Sequence, residues 1–293
     1  MTAAAMTGLL ELAALSVRVG GPEPRTLVHG VDVSLAPGER LGIIGESGSG
    51  KSLTALAVLG LLPYPLVAGG SARIATPDGV VDVVGTPARR LDRVRGAIVS
   101  AVFQEPLASL DPLMRIGRQL EWPLRRHRGL RGDELRRAVL DALAEVQLAE
   151  PERIARSYIH EISGGQRQRV AIALALAADP QLLIADEPTT ALDVTVQAGI
   201  IELLQREVTD RGMSLLFISH DLPVLAGIAD RVLVMKDGRQ VELGATAQIL
   251  RAPADPYTAQ LVAASRRLDE FLPVQGGVGA PDAAGARDEA AGA

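Results

Sequence analysis

A glycine-rich segment followed by a lysine and a serine has the clearest chemistry in the sequence. Residues 45–52 read GESGSGKS and fit the pattern G-x-x-x-x-G-K-[ST] without a gap. A short apolar run ends at Ile44, and another apolar run extends from Leu53 to Leu62. The segment is therefore predicted to join a buried strand to a helix, which is the context that this phosphate-binding motif requires.

The chemistry of such a loop comes from its backbone. Glycines tolerate unusual φ and ψ angles, so successive N–H groups can form a concave nest for phosphate oxygens, and the helix N-terminus adds unpaired donors. Lys51, one of only two lysines among 30 basic residues, is expected to reach the β- and γ-phosphates, and the hydroxyl of Ser52 is expected to ligate Mg²⁺. The alternative is a Gly/Ser turn before an ordinary helix. The predicted nucleotide-binding residues are Gly45, Glu46, Ser47, Gly48, Ser49, Gly50, Lys51 and Ser52.

Composition limits the classes of protein that fit. The 293 residues are 47% hydrophobic but only 2% aromatic, so the core must be aliphatic, in one large domain or a domain with a subdomain. The net charge of −5 argues against binding nucleic acid or membrane surfaces through bulk charge. The chain has no cysteine, which excludes disulfides, thiol catalysis and cysteine-ligated clusters. The N-terminus lacks the basic start of a secretory signal, and no apolar run approaches the roughly 18 residues of a membrane span. The protein is therefore expected in the cytosol, with membrane association only through partners.

Strands and helices alternate through most of the chain, which predicts an α/β fold with a parallel sheet covered on both faces. Strands are predicted at 9–19, 31–35, 72–84 (around a turn), 98–103, 181–185, 214–218, 232–235 and 240–243. Helices are predicted at 53–62, 166–178, 194–208, 221–228 and 252–268, a helical pattern extends over 111–147, and 63–70 is predicted as a loop. Eight arginines between Arg115 and Arg137, with Trp122 among them, suggest either a nucleic-acid surface or a solvated helix face. The solvated face is favoured because Leu, Asp and Glu alternate with the arginines.

Two carboxylates follow an apolar run in residues 182–187, LLIADE. An α/β sheet presents ligand-binding groups where its strands end, so both acids are candidates for the site. Asp186 is expected to hold Mg²⁺ through its water shell, and Glu187 is expected to polarise the attacking water. An apolar strand that ends in acids is common, so this segment alone is not decisive.

Residues 162–169, ISGGQRQR, form a second glycine-rich helix start that could hold an anion. A capped helix start is the simpler explanation for Ser163 alone, but it does not predict the whole string. The string resembles the signature sequence of ATP-binding cassette (ABC) ATPases, whose usual form has Leu where this chain has Ile162.

The resemblance extends from about Leu9 to Val262. Gln104 matches the Q-loop glutamine, residues 188–193 (PTTALD) match the segment that ends in the D-loop aspartate, Asp193, and His220 matches the switch histidine. The resemblance implies an α/β fold with a P-loop (RecA-like) ABC ATPase core, an antiparallel β subdomain and an α-helical subdomain. It further implies an ABC ATPase domain at 1–251 with its helical subdomain at about 105–164, a C-terminal helical extension at 252–272, and a disordered tail at 273–293.

The resemblance also implies a head-to-tail dimer with ATP between the chains. Each site would combine the phosphate loop of one chain with the signature sequence of the other, which explains why one chain has two anion-binding segments. The implied cofactors are ATP and Mg²⁺. The implied catalytic residues are Glu187, His220 and Gln104, the further nucleotide-binding residues are Ser163, Gly164, Gly165, Gln166 and Asp193, and the metal ligands are Ser52, Gln104 and Asp186.

Four strings resemble the peptide and nickel importer branch of the family: VFQEP at 102–106, SLDP at 109–112, ADEPTTALDVTVQ at 185–197 and ADPYT at 254–258. They imply an ATPase subunit for uptake of oligopeptides, dipeptides or a small cargo such as nickel or a metal chelate. The implied partners are two transmembrane permeases, a second ATPase subunit and, indirectly, an extracytoplasmic substrate-binding protein. Nucleic acid is not an implied partner. The implied location is the cytoplasmic face of the membrane. An ABC exporter subunit and a soluble ABC ATPase are the alternatives.

Val19 stands where the family has an adenine-stacking aromatic, so no adenine-binding residue is predicted.

Overall fold

The computed structural model describes Met6, residues 8–190 and residues 192–271, so the predicted tail at 273–293 and Ala191 of the PTTALD segment lie outside the described residues. The strands are β1 (Leu10–Val19), β2 (Thr26–Leu35), β3 (Arg40–Ile44), β4 (Leu66–Thr76), β5 (Gly79–Asp82), β6 (Val99–Val102), β7 (Leu182–Asp186), β8 (Ser214–Ile218), β9 (Arg231–Lys236) and β10 (Arg239–Ala245). The α-helices are α1 (Lys51–Leu59), α2 (Ala88–Leu91), α3 (Ile116–Arg128), α4 (Gly132–Glu145), α5 (Pro151–Arg156), α6 (Gly164–Leu176), α7 (Val194–Asp210), α8 (Leu222–Ile228), α9 (Thr246–Arg251) and α10 (Pro256–Phe271), with short 3₁₀ helices at Pro106–Ala108 and Ile159–Glu161.

The central sheet of the described chain has the strand order β10-β9-β3-β8-β7-β6. Its strands run parallel except for β10, which pairs antiparallel with β9. Successive residues of β7 and β8 enter opposite cores: Leu216 and Ile218 pack on the side of the second sheet, whereas Leu215 and Phe217 pack on the other. Burial on both faces explains the uninterrupted apolar runs, and it confirms the predicted covered α/β sheet.

The second sheet is antiparallel, in the order β2-β1-β4-β5, and covers one face of the central sheet together with α1. The predicted loop at 63–70 is wrong in its second half, because β4 begins at Leu66, which pairs with Val19. Two glycines, Gly69 and Gly70, make this strand difficult to predict from the sequence. Gly70, with φ of 77°, lies so close to β1 that a Cβ there would be 2.1 Å from the carbonyl oxygen of Ala14. The register between β1 and β4 shifts at this point, so the glycine accommodates an irregularity in the sheet.

Helices α3 to α5 pack together on the opposite face of the central sheet. The continuous pattern predicted for 111–147 is interrupted, because Gly129 ends α3 with φ of 69° and a loop precedes the helix. The side chain of Gln119 stabilises that loop: its amide group binds the backbone N–H and carbonyl of Asp111, both at 2.9 Å. Local hydrogen bonds of this kind compete with the first turn of a helix.

Two other helix predictions need correction. The first helix ends at Leu59, three residues early, because Gly60 adopts φ of 60° and closes the helix with backbone hydrogen bonds to Leu56 and Ala57. The helix predicted at 252–268 begins four residues late, at Pro256, and a separate short helix, α9, precedes it. None of the described helices is long and apolar enough to cross a bilayer.

Candidate functional site

The predicted site residues follow the carboxyl ends of neighbouring parallel strands. The phosphate loop follows β3, His220 follows β8, Asp186 ends β7, and Gln104 follows β6. Because β3, β8, β7 and β6 are consecutive in the sheet, these segments emerge at one edge. This is where open α/β sheets bind ligands.

The phosphate loop leaves the N-terminus of α1 free of side-chain caps. Gly50 is the N-cap residue, with φ of 95°, and no side chain of the described residues caps the first turn of the helix. Its N–H groups have no intrahelical acceptors, so they can bind an anion. Gly45 allows the loop to pass close to β9, since a Cβ there would lie 2.1 Å from the carbonyl oxygen of Met235.

Lys51 is buried beneath this loop. Its Nζ donates hydrogen bonds to the carbonyl oxygens of Gly45 at 2.8 Å and Glu46 at 3.0 Å. Burial lowers the pKa of Lys51, while the negative charges of Glu187 and Asp186 oppose that shift. The ammonium group is thus held by two neutral carbonyls, which charged phosphate oxygens can replace.

Ser52 and Asp186 join the loop to the end of β7. The Ser52 hydroxyl donates to Oδ1 of Asp186 at 2.9 Å. Burial raises the pKa of Asp186, the Ser52 hydrogen bond opposes the shift, and Glu187 adds to it. A hydroxyl and a carboxylate at this distance are hard oxygen ligands that fit Mg²⁺. The described residues contain no cluster of three or more His, Cys, Asp or Glu side chains suited to a metal. The Ser52 and Asp186 oxygens do not form an all-protein metal site. Two protein oxygens beside a phosphate site are typical of Mg²⁺ that binds together with nucleotide.

Glu187 is held by its backbone and by two side chains. Its φ is 46°, and its N–H donates to the carbonyl oxygen of Ile218 at 3.0 Å. Its Oε2 accepts a hydrogen bond from Oγ1 of Thr190 at 2.9 Å and lies 3.3 Å from Nδ1 of His220. Sequence reasoning missed Thr190, although it lies in the matched PTTALD segment. The three-residue spacing from Glu187 was the available signal.

The structure does not bring two of the predicted residues into this cluster. Gln104 is exposed, and no hydrogen bond holds its side chain among the described residues. Asp193 is the N-cap of α7, where its Oδ1 accepts the N–H of Val196 at 3.0 Å.

The signature segment forms the N-terminus of α6. Oγ of Ser163 accepts the N–H of Gln166 at 3.3 Å, and Oε1 of Gln166 accepts the N–H of Ser163 at 3.0 Å, so the segment is a capping box. A Cβ on Gly165 would lie 2.8 Å from Cγ1 of Val196, whereas one on Gly164 would meet open space. Within the described part of the chain, no hydrogen bond or ion pair joins residues 163–166 to the phosphate loop. The two anion-binding segments are separate in one chain.

Comparison with known proteins agrees with this geometry. The family model described as ABC transporter matches residues 28–190. The peptidoglycan transport ATP-binding protein of Agrobacterium fabrum is 49% identical over 258 residues, which are 87% of this chain and 47% of that protein. This chain thus spans about half the length of that relative. A Brucella ovis protein named as a peptide import ATP-binding protein is 45% identical over 83% of this chain and 73% of its own length.

Solved structures give the same result. A dimeric ATP-binding cassette in a post-hydrolysis state, bound to ADP and Pi, is 29% identical with a TM-score of 0.71, over 81% of this chain and 98% of that one. A Clostridium perfringens protein that is part of an ABC transporter complex is 25% identical with a TM-score of 0.67, over 91% of this chain and 96% of that one. The uncapped phosphate loop, the acids at the end of β7 and these relatives together identify the chain as an ATP-binding cassette ATPase of the ABC transporter family.

Proposed function

We propose that the chain is the ATP-hydrolysing subunit of an ABC importer for oligopeptides, dipeptides or a small cargo such as nickel or a metal chelate. The observation that carries the ATPase part is the cluster of Lys51, the Ser52–Asp186 pair and Glu187 at one edge of the sheet. Import is supported by the relatives, since one is named for peptide import and another for peptidoglycan transport.

Each residue of the cluster has a distinct role in this proposal. Lys51 would exchange its two carbonyl partners for phosphate oxygens, and Ser52 and Asp186, with Gln104, would hold Mg²⁺. The bound ion would neutralise charge on the phosphates during hydrolysis. Glu187 orients the attacking water and accepts its proton, and His220 stays beside the carboxylate, where it can contact the terminal phosphate.

The signature segment serves a second copy or a related ATPase. Ser163, Gly164, Gly165 and Gln166 would close over the nucleotide held by the phosphate loop of the other chain, with Asp193 near the same interface. The separation of the two anion-binding segments supports this head-to-tail arrangement. ATP then binds across the interface, and hydrolysis removes contacts that hold the dimer closed.

Permeases are proposed to dock at the loop 104–112 and the cleft beside it. The cleft has a volume of about 650 Å³ and is lined by Asp92, Ser109, Asp111, Trp122 and His127, among others. The side chain of Trp122 is exposed at 63%, which is unusual for a large aromatic and favours an interaction site. This docking would place the protein at the cytoplasmic face of the membrane. The helical subdomain at about 105–164, which is part of the ATPase domain at 1–251, would then face the permease, and the extension at 252–272 follows that domain.

The test is recovery of partners from the protein's own cells after gentle detergent extraction, measured by mass spectrometry. We expect two multi-spanning permeases with the wild-type chain, and the variant Trp122→Glu should recover several-fold less of both. A co-recovered substrate-binding protein would establish import. Recovery of ribosomal or DNA-repair proteins without any permease would contradict the transport role.

A further inference from the structure

The C-terminal helix α10 contacts the phosphate loop through one side chain. Tyr257, the second residue of α10, is only 8% exposed. Its hydroxyl accepts a long hydrogen bond from the backbone N–H of Glu46, with 3.4 Å between N and Oη. In the sequence, the string at 254–258 indicated only the branch of the family. In the structure, Tyr257 of this string contacts Glu46, the second residue of the phosphate loop.

Two further contacts, outside the phosphate loop, hold Tyr257 and the start of its helix. Nζ of Lys236, at the end of β9, lies 4.5 Å from the centroid of the tyrosine ring, which is the geometry of a cation–π contact. The turn before α10 is fixed by Glu242, whose carboxylate accepts the N–H groups of Ala254 at 2.9 Å and Asp255 at 3.1 Å. These contacts fix the position of the Tyr257 ring, and therefore also the position of its hydroxyl at the loop.

Glu46 is bonded on both sides of its backbone. Its N–H binds Tyr257, and its carbonyl oxygen accepts Nζ of Lys51 at 3.0 Å. When Lys51 turns to phosphate, that carbonyl loses its partner, while the bond to Tyr257 does not depend on the lysine. Burial raises the pKa of Tyr257, and the carboxylate of Glu46 acts in the same direction, so the hydroxyl keeps its proton at neutral pH.

We propose that Tyr257 is a positioning residue of the nucleotide site, because its hydroxyl holds the Glu46 peptide in place while Lys51 changes partners. The C-terminal extension is by this route part of the ATP site. The inference rests on the nucleotide site of the proposed function, and it requires no permease.

The test compares Tyr257→Phe with Arg266→Gln. The first variant removes the hydroxyl and keeps the ring over Lys236. The second is the control: Arg266 lies further along α10, where its Nη2 donates to the carbonyl oxygen of Leu250 at 2.6 Å, so its loss loosens the helix without touching the loop. The affinity for Mg-ADP, measured by isothermal titration calorimetry, avoids turnover and ATP-driven dimerisation. Melting temperatures of the nucleotide-free proteins report any general loss of stability in either variant.

Tyr257→Phe is expected to weaken Mg-ADP binding about two- to fivefold, the effect of one lost neutral hydrogen bond. The KM for ATP should rise by a similar factor with kcat within twofold of wild type, and Arg266→Gln should bind as the wild type does. Unchanged affinity in Tyr257→Phe, or the same loss in both variants, would overturn the inference while leaving the ATPase role intact. Failure of the wild type to bind nucleotide would overturn both. The transport role is decided by the recovery of permeases, and import by the co-recovery of a substrate-binding protein, so the two proposals fail separately.

Discussion

Glu187 shows how single residues prepare the site for chemistry. Thr190 and His220 both approach Oε2 of this carboxylate, and Oε1 has no hydrogen-bond partner among the described residues. The positive φ of 46° is a strained conformation for a glutamate, and the N–H bond to Ile218 helps to maintain it. One oxygen is thus fixed, and the other is available to a water molecule.

Removal of the Thr190 hydroxyl should slow hydrolysis without weakening nucleotide binding. In Thr190→Val the shape is kept, but Glu187 loses the donor that orients it, so we expect kcat to fall about three- to tenfold with an unchanged KM for ATP. Steady-state ATPase kinetics measure both constants. Thr190→Ser, which retains the hydroxyl, should recover most of the rate. If the serine variant is as slow as the valine variant, the hydroxyl has no positioning role.

Residues within one local motif could be predicted from the sequence, but their partners could not. The phosphate loop and the acids at 186 and 187 are recognised because spacing along the chain sets their chemistry. The bonds from Thr190 to Glu187 and from Tyr257 to Glu46 depend on side-chain rotamers and on residues 211 positions apart in the second case. The three-residue spacing was a signal for the first contact, but no sequence pattern indicates the second.

At the scale of elements, ion pairs join α4 to α7. Arg211, at the end of α7, binds Glu207 at 3.1 Å, Glu145 at 2.7 Å and Asp179 at 3.2 Å. Its side chain is 20% exposed, and that of Glu207 is 8% exposed. Glu207 has a second cation in Arg206 at 2.8 Å. This network connects α4 to α7 and to the turn between α6 and β7.

Loss of Arg211 should cost more stability than loss of an exposed arginine. Arg211→Met leaves the buried Glu207 with one cation, so we expect the free energy of unfolding to fall by about 2 kcal/mol. Arg125→Met is the matched control, because Arg125 pairs with Glu121 at 3.6 Å and is 61% exposed; about 0.5 kcal/mol or less is expected. Urea denaturation measures both. Equal losses of unfolding free energy in the two variants would show that the ion pairs of Arg211 stabilise the fold no more than an exposed ion pair does.

Glu242 links β10 to the start of α10 in a pH-dependent way. Burial alone would raise the pKa of Glu242, but hydrogen bonds from the N–H groups of Ala254 and Asp255 and from the side chains of Thr258 and Gln248 lower it, so the pKa lies below its ordinary value. The unfolded chain therefore binds the proton more readily than the folded one. The stabilisation is present above the ordinary glutamate pKa of about 4.3 and is lost as pH falls through the folded-state pKa.

Glu242→Gln should reduce stability at neutral pH and have little effect in acid. At pH 7 we expect a loss of about 1 kcal/mol, since the amide replaces one acceptor with a donor facing the same N–H groups. Below the ordinary pKa of about 4.3 the unfolded wild-type chain takes up a proton that the folded carboxylate resists, so the difference between the two proteins should shrink as the pH falls. Urea denaturation at pH 7 and pH 3.5 gives the comparison. A difference that is constant with pH would contradict the role given to the charge.

Elements buried on both faces were the most predictable. β8 has the predicted bounds, 214–218, because every one of its residues is apolar or small and is buried. The error at β4 has the opposite cause: Gly69 and Gly70 are poor strand formers, and only the close approach of β1 explains them. The break between α9 and α10 depends on Glu242, which is distant in sequence from the backbone it binds.

The whole molecule presents two separate anion-binding helix starts. The first turn of α1 is uncapped, whereas the first turn of α6 is satisfied by its own Ser163 and Gln166. The difference supports the proposal that the α1 site binds nucleotide in the single chain and that a second chain would bring nucleotide to the α6 site. The head-to-tail dimer accounts for both features.

The most direct test of this account is the mass of two variants in solution, measured by size-exclusion chromatography with light scattering. Glu187→Gln should bind ATP, lose at least about 100-fold of turnover, and form a dimer in Mg-ATP but not in Mg-ADP. Adding Ser163→Asp preserves the helix cap, because aspartate caps as well as serine, but places a negative charge against the partner's nucleotide. We predict that this double variant binds ATP, melts at an unchanged temperature and stays monomeric. A double variant that dimerises as readily as Glu187→Gln would contradict the composite site.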